Sequence, residues 1–217
     1  MVAVVDSGVR APHPHVPAVN GGVDLSGTDE RLDYTDQLGH GTAVAAAIIE
    51  KAPEADLLAV KVFDRSLATT AETLARAIVW SADHGARLIN LSLGTTNALR
   101  AALLREAVAH ACGRGALVVS AREMDAQRWL PGSLSDVAGV QVDWECERDA
   151  LVLDADTPGV FHASGYPRPI PGVPRERNLS GISFAVANTT GFLARLLQDA
   201  PEIRSLADVE HRLLAPP

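Results

Sequence analysis

Short apolar runs alternate with segments of helical periodicity along most of this chain. The runs consist of valine, isoleucine, leucine and alanine with few polar residues, which predicts strands buried on both faces of a sheet. They lie at residues 2–5, 57–63, 86–93, 116–121 and 137–142. Between and after these runs, apolar residues three and four positions apart predict helices. The helices fall at about residues 40–49, 70–84, 97–113, 183–197 and 205–214.

The order of these elements predicts the fold class. Strands that alternate with helices of this length form βαβ units, in which the strands are parallel. Right-handed crossovers then place helices on both faces of the sheet. We therefore expect an α/β protein with a three-layer, doubly wound and mostly parallel sheet.

Two stretches depart from the alternation. Residues 10–38 are rich in proline, glycine and aspartate, which predicts a long irregular loop. Residues 143–177 are also irregular, with short strand candidates at 150–153 and 159–163. No internal repeat or linker divides the chain, so we predict a single domain over residues 1–217.

Composition narrows the classes of function. Hydrophobic residues make up 47% and charged residues 21% of the 217 residues, which is typical of a soluble globular protein. The net charge of −8 gives no basic surface for nucleic acid or anionic lipid. The chain has no signal-peptide pattern and no apolar run near the length of a membrane span. We expect a cytoplasmic protein that binds neither nucleic acid nor membrane.

Metal and cofactor sites have little support in the sequence. Cys112 and Cys146 are too few for a disulfide framework and lack the spacing of metal ligands. His13 and His15 lie close together in the irregular loop, but no third ligand accompanies them. The acidic residues of 24–36 favour a solvated loop over a cation site. We predict no metal and no cofactor.

A serine at the start of a late helix is the first candidate for chemistry. Ser183 follows the turn at Gly181 and precedes an apolar helix. Main-chain N–H groups in the first turn of a helix have no intrahelical partner, and the helix dipole is positive there. Negative charge that develops on a nucleophile is stabilised in such a place. The alternative is that Ser183 only caps the helix.

Two further residues stand at comparable positions. Asp6 ends the first strand, and the carboxyl edge of a parallel sheet is where sites are built. The alternative is that Asp6 only caps a turn. His40 opens the helix of small residues at 40–49, where a histidine is held rigidly without being buried in mid-helix. The alternative is a structural or surface histidine.

Aspartate, histidine and serine in this chain order are the three members of a Ser-His-Asp triad. The segments that carry them resemble motifs of the subtilisin-like serine proteases. VAVVDSGV at 2–9 resembles the aspartate motif, HGTAVAAAI at 40–48 the histidine motif, and GISFAVANTTG at 181–191 the serine motif. INLSLG at 89–94 resembles the substrate-binding strand of the family. The resemblance covers nearly the whole chain and implies the subtilisin-like fold.

The resemblance also implies a mechanism. Asp6 would orient His40, His40 would take the proton of Ser183, and Ser183 would attack a peptide carbonyl. An extended peptide or protein substrate would pair with a strand of this chain. The substrate-binding residues implied are Ser92, Leu93, Gly94, Ser120, Ala121 and Arg122.

One departure from the family pattern concerns the oxyanion hole, which the resemblance would build from Ser183 and an asparagine. Alignment on the strand ALVVSA at 116–121 puts Glu123 where that asparagine belongs. An ionised carboxylate cannot donate a hydrogen bond and repels negative charge. Three explanations stay open: Glu123 is protonated and donates, Arg122 or an alignment shifted by one residue supplies the donor, or the hole is lost. Ile182 also replaces the threonine that precedes the serine in the family.

From these residues we predict a serine endopeptidase with an atypical oxyanion hole. The alternatives are a catalytically weak peptide-binding homologue and a peptide ligase or cyclase that uses the same acyl-enzyme chemistry. The chain begins at the aspartate-bearing strand without an N-terminal arm or prodomain. This beginning favours an intracellular member of the family, or one that depends on a partner protein.

Overall fold

An eight-stranded sheet forms the centre of the protein in the computed structural model, which describes residues 1–215. In chain order its strands are β1 (Val2–Asp6), β2 (Gly21–Asp24), β3 (Leu57–Lys61), β4 (Leu88–Leu91), β5 (Leu117–Ala121), β8 (Val137–Val142), β9 (Val152–Leu153) and β10 (Val160–Ala163). Two further strands, β6 (Glu123–Met124) and β7 (Gln127–Arg128), form a separate hairpin. The order across the sheet is β2-β3-β1-β4-β5-β8-β10-β9, and every pair is parallel except β10 with β9.

Five α-helices accompany the strands in the described residues. They are α1 (His40–Lys51), α2 (Ala71–Asp83), α3 (Ala101–Gly113), α4 (Ile182–Asp199) and α5 (Leu206–Leu214). Short 3₁₀ turns precede α3 at Ala98–Arg100 and α4 at Arg175–Arg177. The predicted doubly wound, mostly parallel sheet with helices on both faces is confirmed.

The residues of β1 show how the two apolar layers are divided. Val2 and Val4 belong to the core cluster that contains α1 and α4. Ala3 and Val5 belong to the cluster that contains α2 and α3. Successive side chains of a strand point to opposite faces, so an uninterrupted apolar run is what a strand between two helical layers requires.

The chain reverses its winding direction at β1. From β1 it passes to β2 at the edge of the sheet and through α1 to β3 beside β1, and then through α2 to β4 on the other side of β1. Because connections diverge there, a crevice opens at the carboxyl end of β1, which is the usual place for a site in an open α/β sheet. Asp6 is the last residue of that strand.

Two short elements differ from the prediction. The loop predicted over 10–38 contains β2, which pairs with β3 although glycine forms half of it. The β6–β7 hairpin turns at Asp125 and Ala126, whose φ angles are 52° and 58°. Positive φ at both turn positions is the geometry of a tight hairpin, but the residues that usually signal it are Asn-Gly or Asp-Gly.

Candidate active site

Asp6 lies buried at the end of β1, in the middle of the sheet. Its Oδ1 accepts a 2.7 Å hydrogen bond from the main-chain N–H of Ser7 and lies 2.8 Å from Nδ1 of His40. Its Oδ2 is buried and has no hydrogen-bond partner among the described residues. A carboxylate bonded to Nδ1 selects the histidine tautomer whose Nε2 accepts a proton.

The backbone at the start of α1 holds the His40 ring against Asp6. Gly39 precedes the helix with a φ of 82°, a conformation that favours glycine. At Gly41, a Cβ would lie 2.1 Å from the carbonyl oxygen of Gly8 and 3.1 Å from Cβ of Asp6. Only glycine at this position lets the helix start pack directly on the strand end.

Burial and charge act in opposite directions on the pKa of His40. Burial of the ring lowers the pKa, because desolvation disfavours the imidazolium. The hydrogen bond and charge of Asp6, with the charge of Asp36, outweigh burial and raise the pKa above its ordinary value of 6.5. His40 is therefore a stronger base than a free histidine, which suits a residue that takes a proton from a serine.

Asp36 links Ser7, just after β1, to the start of α1 through side-chain hydrogen bonds. It was not among the catalytic residues predicted from the sequence. Its buried Oδ1 accepts hydrogen bonds of 2.8–2.9 Å from the Ser7 hydroxyl and from the N–H groups of Leu38 and Gly39. Its Oδ2 accepts bonds of 2.8 and 2.6 Å from the N–H and hydroxyl of Thr42. The sequence position of Asp36, just before a predicted helix, could have indicated this role, because the free N–H groups at a helix start favour a nearby carboxylate.

Ser183 is the second residue of α4. Gly181 ends the loop before it with a φ of 147°, and its N–H donates to the Gly165 carbonyl at 2.8 Å. The Ser183 N–H belongs to the first turn of the helix, where N–H groups have no intrahelical acceptor. The ring of Phe184, the next residue, lies 5.9 Å from the His40 ring between centroids. The starts of α1 and α4 are therefore neighbours.

The Ser183 hydroxyl points towards the segment that follows β4. It donates to the Ser92 carbonyl at 3.3 Å, and the Ser92 hydroxyl donates to the Ser183 carbonyl at 3.2 Å. Within residues 1–215 no hydrogen bond joins this hydroxyl to His40. A change of χ1 to another staggered rotamer releases the hydroxyl from Ser92. Catalytic hydrogen bonds are often long or misaligned until substrate binds.

Asn90, on β4, holds the Ser92 segment in place. Its side-chain nitrogen donates to the Ser92 hydroxyl at 2.9 Å, and its side-chain oxygen accepts a 2.9 Å bond from the Thr190 hydroxyl on α4. Both Asn90 and Thr190 are fully buried. The pair therefore ties the predicted substrate-binding strand to the helix that carries Ser183.

A cleft of about 450 Å³ opens in front of these side chains. Its lining includes His40, Ser183, Ser92, Leu93, Gly94 and Ala121. The structure therefore brings the predicted base and nucleophile, together with four of the six predicted substrate-binding residues, to one hollow.

Trp129 also lines the cleft, and no sequence pattern pointed to it. It lies beside Gly94, where a Cβ would be 3.3 Å from indole Cε3 and 2.5 Å from the carbonyl oxygen of Leu130. Its indole Nε1 is buried and has no hydrogen-bond partner among the described residues. The indole occupies space next to the Gly94 segment and so reduces the room for a substrate side chain.

Two predicted substrate-binding residues, Ser120 and Arg122, lie outside the lining of the cleft. Ser120 is fully buried, and its hydroxyl lies 3.5 Å from the carbonyl oxygen of Leu93. Arg122 lies over Gly139, where a Cβ would be 3.2 Å from Cβ and Cδ of the arginine. Neighbouring side chains of a strand point in opposite directions, so Ala121 faces the cleft and the residues on either side of it do not.

Glu123, predicted for the oxyanion hole, lines an adjoining hollow of about 380 Å³. This hollow and the cleft share Met124, Gly181 and Ile182 as lining residues. The Glu123 side chain therefore lies near the turn that carries Ser183, but it borders a different space from the one in front of the hydroxyl.

The sequence model that describes the subtilase family, peptidase family S8, matches residues 1–125, which is more than half of the chain. The chain belongs to the subtilase family. It is a subtilisin-like serine protease, and as a protease it binds protein or peptide substrates. The family and the activity predicted from the motifs are thereby confirmed.

Relatives of this subtilase match along nearly its whole length. Thermitase from Thermoactinomyces vulgaris is 32% identical over 226 residues, which cover 94% of this chain and 78% of that protein. Subtilisin DY from Bacillus licheniformis is 29% identical over 233 residues, covering 98% and 81%. The prenylagaramide maturation protease PagA has a similar structure, with a TM-score of 0.71 and 26% identity over 97% of this chain and 80% of that one. Sphericase has the same fold, with a TM-score of 0.73 and 23% identity over 98% and 81%.

Two other kinds of feature are absent from the described residues. Among residues 1–215, no group of three or more histidine, cysteine, aspartate and glutamate side chains is arranged to hold a metal ion. In the same part of the chain, no helix combines the length and apolar character that crossing a membrane requires. The single-domain assignment and the cytoplasmic location stay predictions.

Proposed function

We propose that this subtilase is an endopeptidase that cleaves extended peptides through an acyl-enzyme on Ser183, with an atypical oxyanion site. The observation that carries the proposal is the 2.8 Å contact between Asp6 and His40, beside a cleft that Ser183 also lines. The raised pKa of His40 supports its role as the base.

The proposed reaction begins when a peptide lies as an added strand along Ser92–Gly94, held by main-chain hydrogen bonds. The Ser183 hydroxyl then passes its proton to Nε2 of His40 while its oxygen attacks the scissile carbonyl carbon. Asp6 stabilises the resulting imidazolium, which gives its proton to the leaving amine. An ester on Ser183 is left, and water activated by His40 hydrolyses it and restores the enzyme.

The oxyanion of this reaction has one well-placed donor, the main-chain N–H of Ser183 at the start of α4. The second donor of the family falls on Glu123, whose carboxylate cannot donate when ionised. Loss of one such donor costs about a hundred- to a thousandfold in rate, or roughly 2.7–4 kcal/mol. We therefore propose that the enzyme is slow, and that the charge of Glu123 beside the Ser183 turn limits its rate.

A fluorophosphonate probe tests the nucleophile. The wild-type enzyme is expected to be labelled, because an activated serine attacks the phosphorus atom, and Ser183→Ala is expected to stay unlabelled. Ser180→Ala removes an exposed serine three positions away and serves as the matched control, with labelling equal to the wild type. A wild-type protein that fails to react would favour the second reading, a subtilase that binds peptides without cutting them.

A ligase or cyclase activity is the alternative enzyme function, because an acyl-enzyme on Ser183 can react with an amine as well as with water. In that case a peptide amine, rather than water, attacks the ester on Ser183 and a new amide bond forms. Mass spectrometry separates the two outcomes, since hydrolysis adds one water to the cleaved peptide and cyclisation of a released segment does not. Neither product should form with Ser183→Ala.

A further inference from the structure

A second hollow, of about 640 Å³, borders the start of α1. Its lining includes Gly39, which directly precedes His40, and Leu179, two residues before Gly181. His40 and Gly181 both line the cleft. The linings of the two hollows are therefore adjacent in the chain at Gly39 and His40, and two residues apart at Leu179 and Gly181. From there the second hollow extends along α1 as far as Ala46.

The lining of this second hollow is rich in basic side chains. It contains Arg10, His13, His15 and Arg168, and we call it the basic groove. Among the described lining residues the only carboxylate belongs to Asp36, which is buried and bonded to the start of α1 as described above. The groove therefore presents positive charge on a protein whose net charge is −8.

The two arginines of the groove are without acidic partners. Within residues 1–215, neither the guanidinium of Arg10 nor that of Arg168 makes a hydrogen bond or an ion pair. Arg148, by contrast, is paired with Glu50. Arginine forms bidentate hydrogen bonds to carboxylates, so two unpaired guanidinium groups lining one groove are free to bind a carboxylate ligand.

The two histidines of the groove lie close together. His13 and His15 lie with ring centroids 5.5 Å apart, and Nδ1 of His13 accepts a 3.2 Å hydrogen bond from the His15 main chain. Burial lowers the pKa of His15, and the charges of Arg168 and His13 lower it further, against the opposing charge of Glu50. The lowered pKa of His15 disfavours its charged form, so the positive charge of the groove rests on Arg10 and Arg168.

The groove lies on the leaving-group side of the scissile bond. The acyl part of a substrate pairs with Ser92–Gly94, which line the cleft and not the groove. His40 hands its proton to the leaving amine, and the groove begins at the residue before His40. The peptide segment after the cleaved bond is thus directed into the groove. This step rests on the proposed peptidase function.

We propose that the basic groove binds carboxylate groups of the segment that follows the cleaved bond, and so makes this subtilase selective for acidic leaving segments. The groove follows α1 from Gly39 to Ala46, a rise of about 10 Å. An extended peptide covers that distance in about three residues. The selectivity therefore concerns the first few residues after the bond.

Two internally quenched peptides test the proposal. They share one acyl-side sequence, carry amidated C-termini, and have three glutamates or three glutamines after the cleaved bond. The wild-type enzyme is expected to prefer the glutamate peptide by about tenfold in kcat/KM at low salt, and less as salt screens the charges. The combined variant Arg10→Gln/Arg168→Gln is expected to bring the ratio between the peptides close to one.

The matched control is Arg105→Gln/Arg212→Gln, which removes two exposed arginines on α3 and α5 and should keep the wild-type ratio. A glutamine peptide with a free C-terminus tests the other source of a carboxylate. If the wild-type enzyme prefers this peptide to its amidated form, and Arg10→Gln/Arg168→Gln does not, the groove binds the C-terminal carboxylate, which also supports the proposal. A wild-type ratio near one, or a ratio that survives in the groove variant, overturns the proposal.

Binding to Ser183→Ala separates this proposal from the peptidase function. Fluorescence anisotropy of the same peptides, without the quencher, measures their affinities where no cleavage occurs. If the wild-type enzyme cleaves neither peptide, the peptidase function fails while the affinity ratio still decides the role of the groove. Ser183→Ala is expected to bind the glutamate peptide about tenfold more tightly than the glutamine peptide. This difference should disappear when Arg10→Gln and Arg168→Gln are added to Ser183→Ala. Equal affinities of Ser183→Ala for the two peptides contradict the proposal.

Discussion

The proposed base side and the proposed nucleophile side of this site are built differently. On the base side, Asp36 accepts five hydrogen bonds, from Ser7 just after β1 and from residues 38–42 around the start of α1. His40 lies 2.8 Å from the buried Asp6. On the nucleophile side, the Ser183 hydroxyl makes one bond of 3.3 Å, to the Ser92 carbonyl. The comparison teaches that the base is held before substrate binds, whereas the serine must be redirected during binding.

The position of each residue in the fold explains the difference. Asp6 ends a strand that has β3 on one side and β4 on the other, so its main chain is fixed on both edges. Glu123 belongs to a two-stranded hairpin outside the main sheet. The main chain of Glu123 therefore has one strand partner, where that of Asp6 lies in a strand with two.

The largest expected effect comes from breaking the base side. Asp6→Asn should lower kcat about ten-thousandfold, because an amide does not hold His40 in the productive tautomer. His40 acts as a base only when neutral, so activity rises as pH passes upward through its pKa. The raised pKa places this rise above pH 6.5 in the wild type, and loss of the Asp6 charge should move it to lower pH. A pH profile of kcat/KM measures both effects.

The control for this prediction is Asp33→Asn, which removes an exposed carboxylate from the loop before α1. It should leave both the rate and the pH profile as they are. An Asp6→Asn enzyme whose activity rises over the same pH range as the wild type would show that Asp6 does not set the pKa of His40.

Repair of the nucleophile side should have the next largest effect. Glu123→Gln removes a negative charge near the turn that carries Ser183, where the oxyanion forms, so kcat on a peptide substrate should rise by about a hundredfold. Glu145→Gln, at an exposed position, is the matched control. An unchanged or lower rate would mean that the oxyanion relies on another donor.

Loosening the base side without touching the triad should produce a moderate loss of stability. Asp36→Asn replaces one of the two acceptor oxygens with an amide nitrogen. The new N–H groups then face the hydrogen-bond donors of Thr42 or of the turn before α1, where no acceptor is available. We expect the free energy of unfolding to fall by about 2 kcal/mol. Urea unfolding measures the change, with Asp33→Asn, expected within about 0.5 kcal/mol of the wild type, as the comparison.

The smallest effect should come from enlarging the cleft on the nucleophile side. Trp129→Ala removes the indole beside Gly94, and we expect the preference for large over small residues before the cleaved bond to rise by about tenfold in kcat/KM. Trp144→Ala, which enlarges the adjoining hollow instead, should leave this preference unchanged. Equal changes in the two variants would show that the indole does not limit the size of the substrate side chain.

Much of the fold follows from local patterns. The apolar run of β1 has two buried faces because helical layers cover both. Long apolar runs are absent after residue 142, where the sheet ends in the short strands β10 and β9. The strand β2 could not be predicted, because its glycines carry no side chains from which a face can be recognised. The β6–β7 hairpin could not be predicted either, because its turn lacks the residues that usually adopt positive φ.

The sequence by itself determined the chemical identity of the site: an aspartate at a strand end, and a histidine and a serine at two helix starts. Each of these positions follows from hydrogen-bonding requirements within a few residues, so a local pattern can reveal it. Only the tertiary structure decided that Trp129 narrows the cleft, that Arg122 packs on Gly139, and that Arg10 meets Arg168 in one groove. Those contacts join segments far apart in the chain, and no local rule governs which distant side chains share a space.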